Sequence, residues 1–259
     1  MSVFCIFDIE TRVDKELLWK VFGADLLKDV DLEHHAFDPE KGKQRPATQA
    51  EAIELAYQEF LTRYRAPNGR LPMPPLPCHI PICIGYGRVN ANLELVDIEV
   101  RTEENELIEN FWLRYEAFDG TLVSFNGRGF DMPLLELHAL RLGIPCPKHM
   151  AKGRDRYRAT RHMDLLDLIR NYGGLDLTQL RGGLDMLSTF IGGPEKDMDG
   201  SEVQEYYEAG EIGMVAMYCG QDVLRTYLLF LRWEMLKGNL PGDLCRELTA
   251  AAKLKYAST

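Results

Sequence analysis

The feature that most constrains this chain is an apolar run near its start that ends in two carboxylates, Phe4-Cys5-Ile6-Phe7-Asp8-Ile9-Glu10-Thr11. Side chains alternate along a strand, so Asp8 and Glu10 share one face of a segment too apolar to lie on a surface. Near the other end, Tyr218-Cys219-Gly220-Gln221-Asp222 falls in a long helical pattern, and the helical period stacks Tyr218 and Asp222 one turn apart. A fold that buries both segments gathers carboxylates with no lysine or arginine inside either segment. Such a group repels itself unless divalent cations lie among its members. Oxygen-only donors select magnesium or manganese, and metal-assisted phosphoryl chemistry is the expected reaction class.

A third segment, Leu122-Val123-Ser124-Phe125-Asn126-Gly127-Arg128-Gly129-Phe130-Asp131-Met132-Pro133, reads as a buried strand that turns through glycines into a helix. Asp131 falls at the helix entrance, where its carboxylate can cap the first amides, and Pro133 sits in the first turn. The order is therefore Asp-x-Glu after a first strand, Asn-x3-Phe-Asp in the middle and Tyr-x3-Asp in a late helix. This order resembles the DEDD superfamily of exonucleases. The tyrosine of the last motif resembles the DEDDy branch, and Phe125 to Asp131 is similar to the proofreading exonuclease domains of family-B DNA polymerases. His162-Met163-Asp164-Leu165, Asp199-Gly200-Ser201, Tyr218 and Leu228-Leu229 resemble the predicted stand-alone bacterial exonucleases related to them.

The resemblance covers nearly the whole chain and implies an α/β ribonuclease H-like fold, a mixed central sheet with a three-strand meander flanked by helices. It implies two Mg2+ or Mn2+ ions. Asp8 would bridge both, Glu10 and Asp222 would complete the site of the attacking water, Asp131 would hold the second ion largely through water, and Tyr218 would orient the attacking water. The implied activity is 3′–5′ removal of nucleoside 5′-monophosphates from single-stranded or frayed ends, with DNA favoured over RNA as partner. An RNA-directed or oligoribonucleotide-degrading enzyme is one alternative, and a non-catalytic 3′-end-binding module is another.

Several residues could serve either the site or the fold. Asp222 either binds an ion or pairs with Arg225 at i,i+3. Tyr218 either serves the reaction or packs and hydrogen-bonds structurally. Asn126 offers an amide to a sugar or phosphate oxygen, and Phe130 offers a ring for base stacking or for the core. Thr11 either donates to the terminal sugar or caps the strand end. Asp164, with Asp167 nearby, reads as a structural residue or one that supports the ligands.

At 259 residues, 46% apolar and 27% charged, the chain is long enough for one α/β domain over residues 1–259, with a polar insertion at about 12–78. Its net charge of −10 argues against coating duplex nucleic acid, but an enzyme acting on chain ends takes its positive charge from cations and local basic runs. The run Lys148, Lys152, Arg154, Arg156, Arg158 and Arg161 either tracks a strand or forms a solvated loop. Six cysteines without C-x-x-C spacing argue against a zinc or disulfide framework, and Cys78-His79-x3-Cys83 lacks a second ligand pair. No run approaches the roughly 20 apolar residues of a membrane span and no signal segment opens the chain, which predicts a cytoplasmic protein away from membranes. Any polymerase or repair partner would act in trans.

Along the chain, the pattern predicts a strand over 3–9, then an irregular polar loop to about 46, where Glu33-His34-His35 reads better as loop than as ligands. Thr48 and Glu51 form a capping box for a helix to about 64, and Pro67 to Pro81 is a connector. Strands at 82–86 and 93–100 flank Asn90-Ala91-Asn92 as a hairpin. A helix over 103–118, a strand over 121–125, a short strand near 161–164 and helices at about 165–171, 178–191, 201–208 and 211–237 follow. Ser201-Glu202-Val203-Gln204 reads as a capping box, and Gly238 ends the last helix.

Overall fold

The computed structural model describes residues 2–28, 48–67, 69, 71–157, 161–195 and 198–256. Glu33-His34-His35 and Arg158 lie outside the described residues. The chain divides into two compact units, Met1–Thr11 with Pro81–Thr259, and Arg12–Ile80.

In the larger unit, the described residues form one five-stranded sheet in the order β3-β2-β1-β4-β5. The strands are β1 (Ser2–Val13), β2 (His79–Asn90), β3 (Leu95–Arg101), β4 (Thr121–Ser124) and β5 (His162–Asp164). β4 runs parallel to β1, with Cys5 opposite Leu122, and β5 runs parallel to β4. β2 and β3 are antiparallel, with a bulge at Arg88/Val89. This mixed sheet flanked by helices is the expected ribonuclease H-like fold.

Alternation along β1 splits its side chains between two cores. Phe7 and Ile9 pack with Phe111, Trp112 and Tyr115 of α3 (Leu107–Ala117) and with Met132, Leu135 and Ala139 of α4 (Asp131–Leu142). Ile6, with Phe4 beside it, packs on the other face against Val223, Leu224, Tyr227 and Phe230 of α8 (Ile212–Leu236). Two glycines let α8 come close to the sheet. A methyl group on Gly85 would lie 2.7 Å from Val223 Cγ2 and 3.0 Å from Cys219 Sγ, and one on Gly87 would lie 2.8 Å from Val223 Cγ1.

Several expected elements differ in extent or in their caps. The predicted 178–191 helix is a 3-10 turn, Leu177–Leu180, followed by α6 (Gly183–Phe190). Gly182 and Gly183, with φ +91° and +52°, break the run between them. The capping box before α7 (Val203–Glu208) is made by Asp199 and Glu202 rather than by Ser201: Ser201 N donates to Asp199 Oδ1 at 2.9 Å, and Asp199 N donates to Glu202 Oε2 at 2.6 Å. A carboxylate in extended backbone reaches the free amides from that position. The chain also continues past Gly238 into α9 (Gly242–Tyr256), whose Cys245, Leu248 and Ala252 join the core beneath α8. Among the described residues no helix is long and apolar enough to cross a membrane.

In the smaller unit, Lys15–Leu26 forms a helix (α1) where an irregular loop was expected. Asp14 caps it, accepting from Leu17 N at 2.9 Å. Its apolar residues include Leu18 and Leu26, which are buried against Ala56, Tyr57 and Phe60 of α2 (Gln49–Arg63), so the helix is held by packing on its neighbour. The Thr48–Glu51 capping box forms as expected, with amide-to-side-chain distances of 3.2 and 3.3 Å.

The seat of α8 generates a stability prediction. Gly85→Ala should cost about 1–3 kcal/mol, because neither Val223 nor Cys219 has room to retreat in a filled core. Gly220→Ala, whose new methyl would meet only ordinary contact at 3.5 Å from Val100 Cγ2, should be neutral or stabilising by up to about 1 kcal/mol. Denaturant unfolding of both variants checks the contrast.

Candidate active site

The face of β1 that packs against α8 continues from Phe4 and Ile6 to Asp8 and Glu10, and α8 presents Asp222 one residue before Val223. The carboxylates of Asp8, Glu10 and Asp222 each place an oxygen within 4.8 Å of the other two. Cys219 ties helix to strand, its thiol donating to the Asp8 carbonyl at 3.6 Å. Asp222 is buried, while Asp8 and Glu10 are half-buried. Burial pushes the Asp8 carboxyl well above the usual range, and the negative charges of Glu10, Asp222 and Asp131 push it further. Hard oxygen donors that destabilise one another's charge at this spacing fit a divalent cation such as Mg2+ or Mn2+. Among the described residues no other group of three or more such side chains meets this spacing.

Asp131 is the first residue of α4 and stands outside that trio, yet its charge still reaches Asp8. Burial raises it to about 7, against hydrogen bonds from its own amide and from that of Ile9. It therefore takes the first amide of α4, its own, and links the helix to β1. Tyr218 is buried on α8, and burial followed by the charges of Asp222, Glu10 and Asp8 raises its phenol strongly, which keeps the hydroxyl protonated. A methyl group on Gly200 would lie 3.4 Å from that hydroxyl, so the turn before α7 covers it.

The two readings of Asp222 are not exclusive. Arg225 is 1% exposed and donates to Asp222 Oδ1 at 2.7 Å and to the Glu195 carbonyl at 2.6 Å, with Asp185 Oδ1 3.6 Å away. The expectation of a carboxylate group with no nearby arginine is corrected by this pair, which is buried rather than a surface contact. The i,i+3 spacing was visible in sequence; burial of the guanidinium was not.

Asn126 and Phe130 bracket the turn that leads into α4. Asn126 is exposed with φ +64°, and Phe130 is half-buried at the helix N-cap. Asp164 holds this turn, accepting from the amides of Asn126 (2.9 Å) and Arg128 (2.8 Å) while also capping α5 (Leu165–Ile169). Thr11 follows Glu10 on β1 and is out of phase with the carboxylate face.

The basic run separates into different environments. Arg161 is buried and donates to the carbonyls of Tyr115 and Phe118, and Lys148 bonds the Glu116 carbonyl and Asp119, whereas Arg154 and Arg156 are exposed. All six cysteines are free thiols.

Residues 73–255 match the family of predicted 3′–5′ exonucleases related to the exonuclease domain of PolB. The chain belongs to this family. Relatives of this exonuclease-family chain include a DNA polymerase of Archaeoglobus fulgidus, 24% identical over 163 residues (60% of this chain and 20% of the polymerase). A DNA polymerase of Pyrococcus glycovorans is 27% identical over 154 residues, 53% of this chain and 19% of that one. The chain thus spans about a fifth of the length of these relatives. A solved family B DNA polymerase from Pyrobaculum calidifontis aligns with 90% of this chain and 24% of its own, at 16% identity and a TM-score of 0.48.

The raised carboxyls fix the sign of a pH effect. A group raised in the folded state contributes stability that is full below its unfolded pKa of about 4 and is lost as pH rises through its folded value, about 7 for Asp131. Metal-free protein should therefore lose stability from this source between about pH 4 and 8. Manganese competes with those protons, so its thermal stabilisation should be larger at pH 8 than at pH 5.5. Thermal unfolding with and without Mn2+ at the two pH values checks this. Arg225→Ala should cost about 3–5 kcal/mol without metal, since it strands the buried Asp222 carboxylate, and less with Mn2+ present.

Proposed function

We propose that this protein is a 3′–5′ exonuclease that releases nucleoside 5′-monophosphates from single-stranded or frayed DNA with two divalent cations. The observation that carries this reading is the convergence of Asp8, Glu10 and Asp222 within 4.8 Å, beside Tyr218, in a chain of this family. The choice of DNA over RNA is supported by the relatives, which are DNA polymerases. The whole chain would act as one exonuclease domain, with Arg12–Ile80 as its insertion.

Asp8, Glu10 and Asp222 would hold the cations, with Asp131 assisting from the start of α4. When bound, the cations supply Lewis-acid activation of water and neutralise charge at phosphorus. The remaining work falls to side chains. Tyr218, held protonated by its surroundings, orients the attacking water through its hydroxyl and does not remove a proton from it. Arg225 fixes the rotamer of Asp222 through the 2.7 Å bond and is itself held by the Glu195 carbonyl. Asn126 presents its amide to a sugar or phosphate oxygen of the terminal nucleotide and Phe130 offers a ring to its base.

End-labelled single-stranded DNA and RNA of equal sequence, incubated with each metal and resolved by length, tests activity and sugar preference together. Stepwise shortening from the 3′ end is expected, faster on DNA, abolished by EDTA and restored by Mg2+ or Mn2+. Asp8→Ala and Asp222→Asn should each remove more than nine-tenths of the rate, a barrier increase above about 1.4 kcal/mol; retention of more than that would take the residue out of the ion-binding set. Tyr218→Phe keeps the ring and should slow single-turnover cleavage by about 10–10³-fold with little change in substrate binding. An unchanged rate would make the tyrosine structural.

A further inference from the structure

Beside the turn that precedes Asp131 lies a cavity of about 500 Å3, lined in part by Asn126, Gly129 and Met132. Four arginines reach it, Arg128, Arg154, Arg156 and Arg170, against two carboxylates, Glu136 and Asp167. The lining thus carries two positive charges in excess on a chain whose net charge is −10. Its imidazoles, His149 and His162, have pKa values lowered first by burial and add no charge near neutrality.

The guanidinium groups are already held in place. Arg128 donates to the carbonyls of Gly153 (3.2 Å), Asp155 (3.2 Å) and His162 (2.7 Å). Arg156 forks onto Asp167, its Nε donating at 2.8 Å, and Arg154 lies 3.4 Å from Glu136. Planar cations oriented in this way, within a polar concavity wide enough for a nucleotide unit, suit phosphate oxygens.

We propose that this cavity receives phosphate groups of the nucleic-acid strand next to the nucleotide being removed, with Arg154 and Arg156 as its phosphate contacts. The inference rests on the exonuclease reading for its substrate, but it makes a separate claim about the path of the strand. Met132 follows Asp131 directly and Asn126 sits in the same turn, so the cavity flanks α4 from the residues beside that carboxylate. The released nucleoside monophosphate carries the same anion, and the test below separates the two sources.

Anisotropy of a fluorescein-labelled 12-residue oligothymidylate, titrated in EDTA over a range of salt, reads binding without turnover. Arg154→Gln combined with Arg156→Gln should weaken binding at least about 10-fold near 0.1 M salt. It should also flatten the log K against log salt slope by about 1.4, since each single-strand phosphate contact contributes about 0.7. Glu136→Gln, which keeps an acceptor for His149 while removing a negative charge, should tighten binding several-fold, an effect of opposite sign that misfolding cannot produce. Thymidine 5′-monophosphate should compete equally with wild type and with the double variant.

An unchanged slope in the folded double variant would overturn the proposal. So would an arginine dependence seen only with the monophosphate, which would make the cavity a product site. Arginine-dependent strand binding without any nucleotide release would leave the cavity standing and sink the exonuclease reading, whereas degradation with an unchanged slope would do the reverse.

Discussion

The contact on which the candidate site depends is the seating of α8 on the sheet at Val223. Gly85 and Gly87 leave no Cβ in its way, so both Val223 methyl groups reach into the surface of β2. Asp222 is the preceding residue and Tyr218 lies one turn earlier, so the depth and rotation of this contact set where both polar groups arrive. Cys219 adds its thiol contact to the Asp8 carbonyl, and Ile6 lies in the same core as Val223. The same face of β1 supplies first apolar packing and then, two residues on, the acidic pair. Helix placement and ligand placement are one interaction, because a rigid helix carries all of its side chains together.

Electrostatics then treats the carboxylates unequally. Asp8 has three negative neighbours and burial against it, Asp131 is raised to about 7, and Asp222 has the Arg225 guanidinium inside the protein. The site therefore combines one carboxylate anchored by an internal cation with others that favour protonation until an external cation arrives. Such an arrangement keeps part of the donor set charged and oriented in advance, which lowers the reorganisation needed when ions bind. Asp164 does comparable work on the opposite flank, where its two oxygens take the amides of Asn126 and Arg128 and hold the turn that presents Asn126 to the arginine-lined cavity.

Much of this was legible in the sequence because it depends on short-range periodicity. Alternation in β1 puts Asp8 and Glu10 on one face, the helical period puts Tyr218 above Asp222, and the Thr48–Glu51 box starts α2, each a geometry set within a few residues. The segments Phe125 to Asp131, His162 to Leu165 and Asp199 to Ser201 carried the resemblance to the family that residues 73–255 match. Elements secured mainly by tertiary packing carry weaker local signals. α1 is completed by packing against α2, and α9 has a mostly polar surface and is secured by three small or apolar residues beneath α8.

Sequence alone therefore determined which side chains share a face and which segments must be buried, since strand and helix periods follow from backbone geometry, and its motifs carried the resemblance to the family. Tertiary structure decided the relations between segments more than two hundred residues apart. It brought Asp222 to Asp8 while leaving Asp131 outside the trio. It turned Arg225 from a plausible surface partner into a buried one, because helix period does not say which side of a buried helix meets Glu195 and Asp185. It also sorted a single basic run into a buried Arg161, a tethered Lys148 and a cavity-lining pair, Arg154 and Arg156. Charge is a property of the residue, but whether it meets a carbonyl, a carboxylate or a cavity is a property of the packed chain.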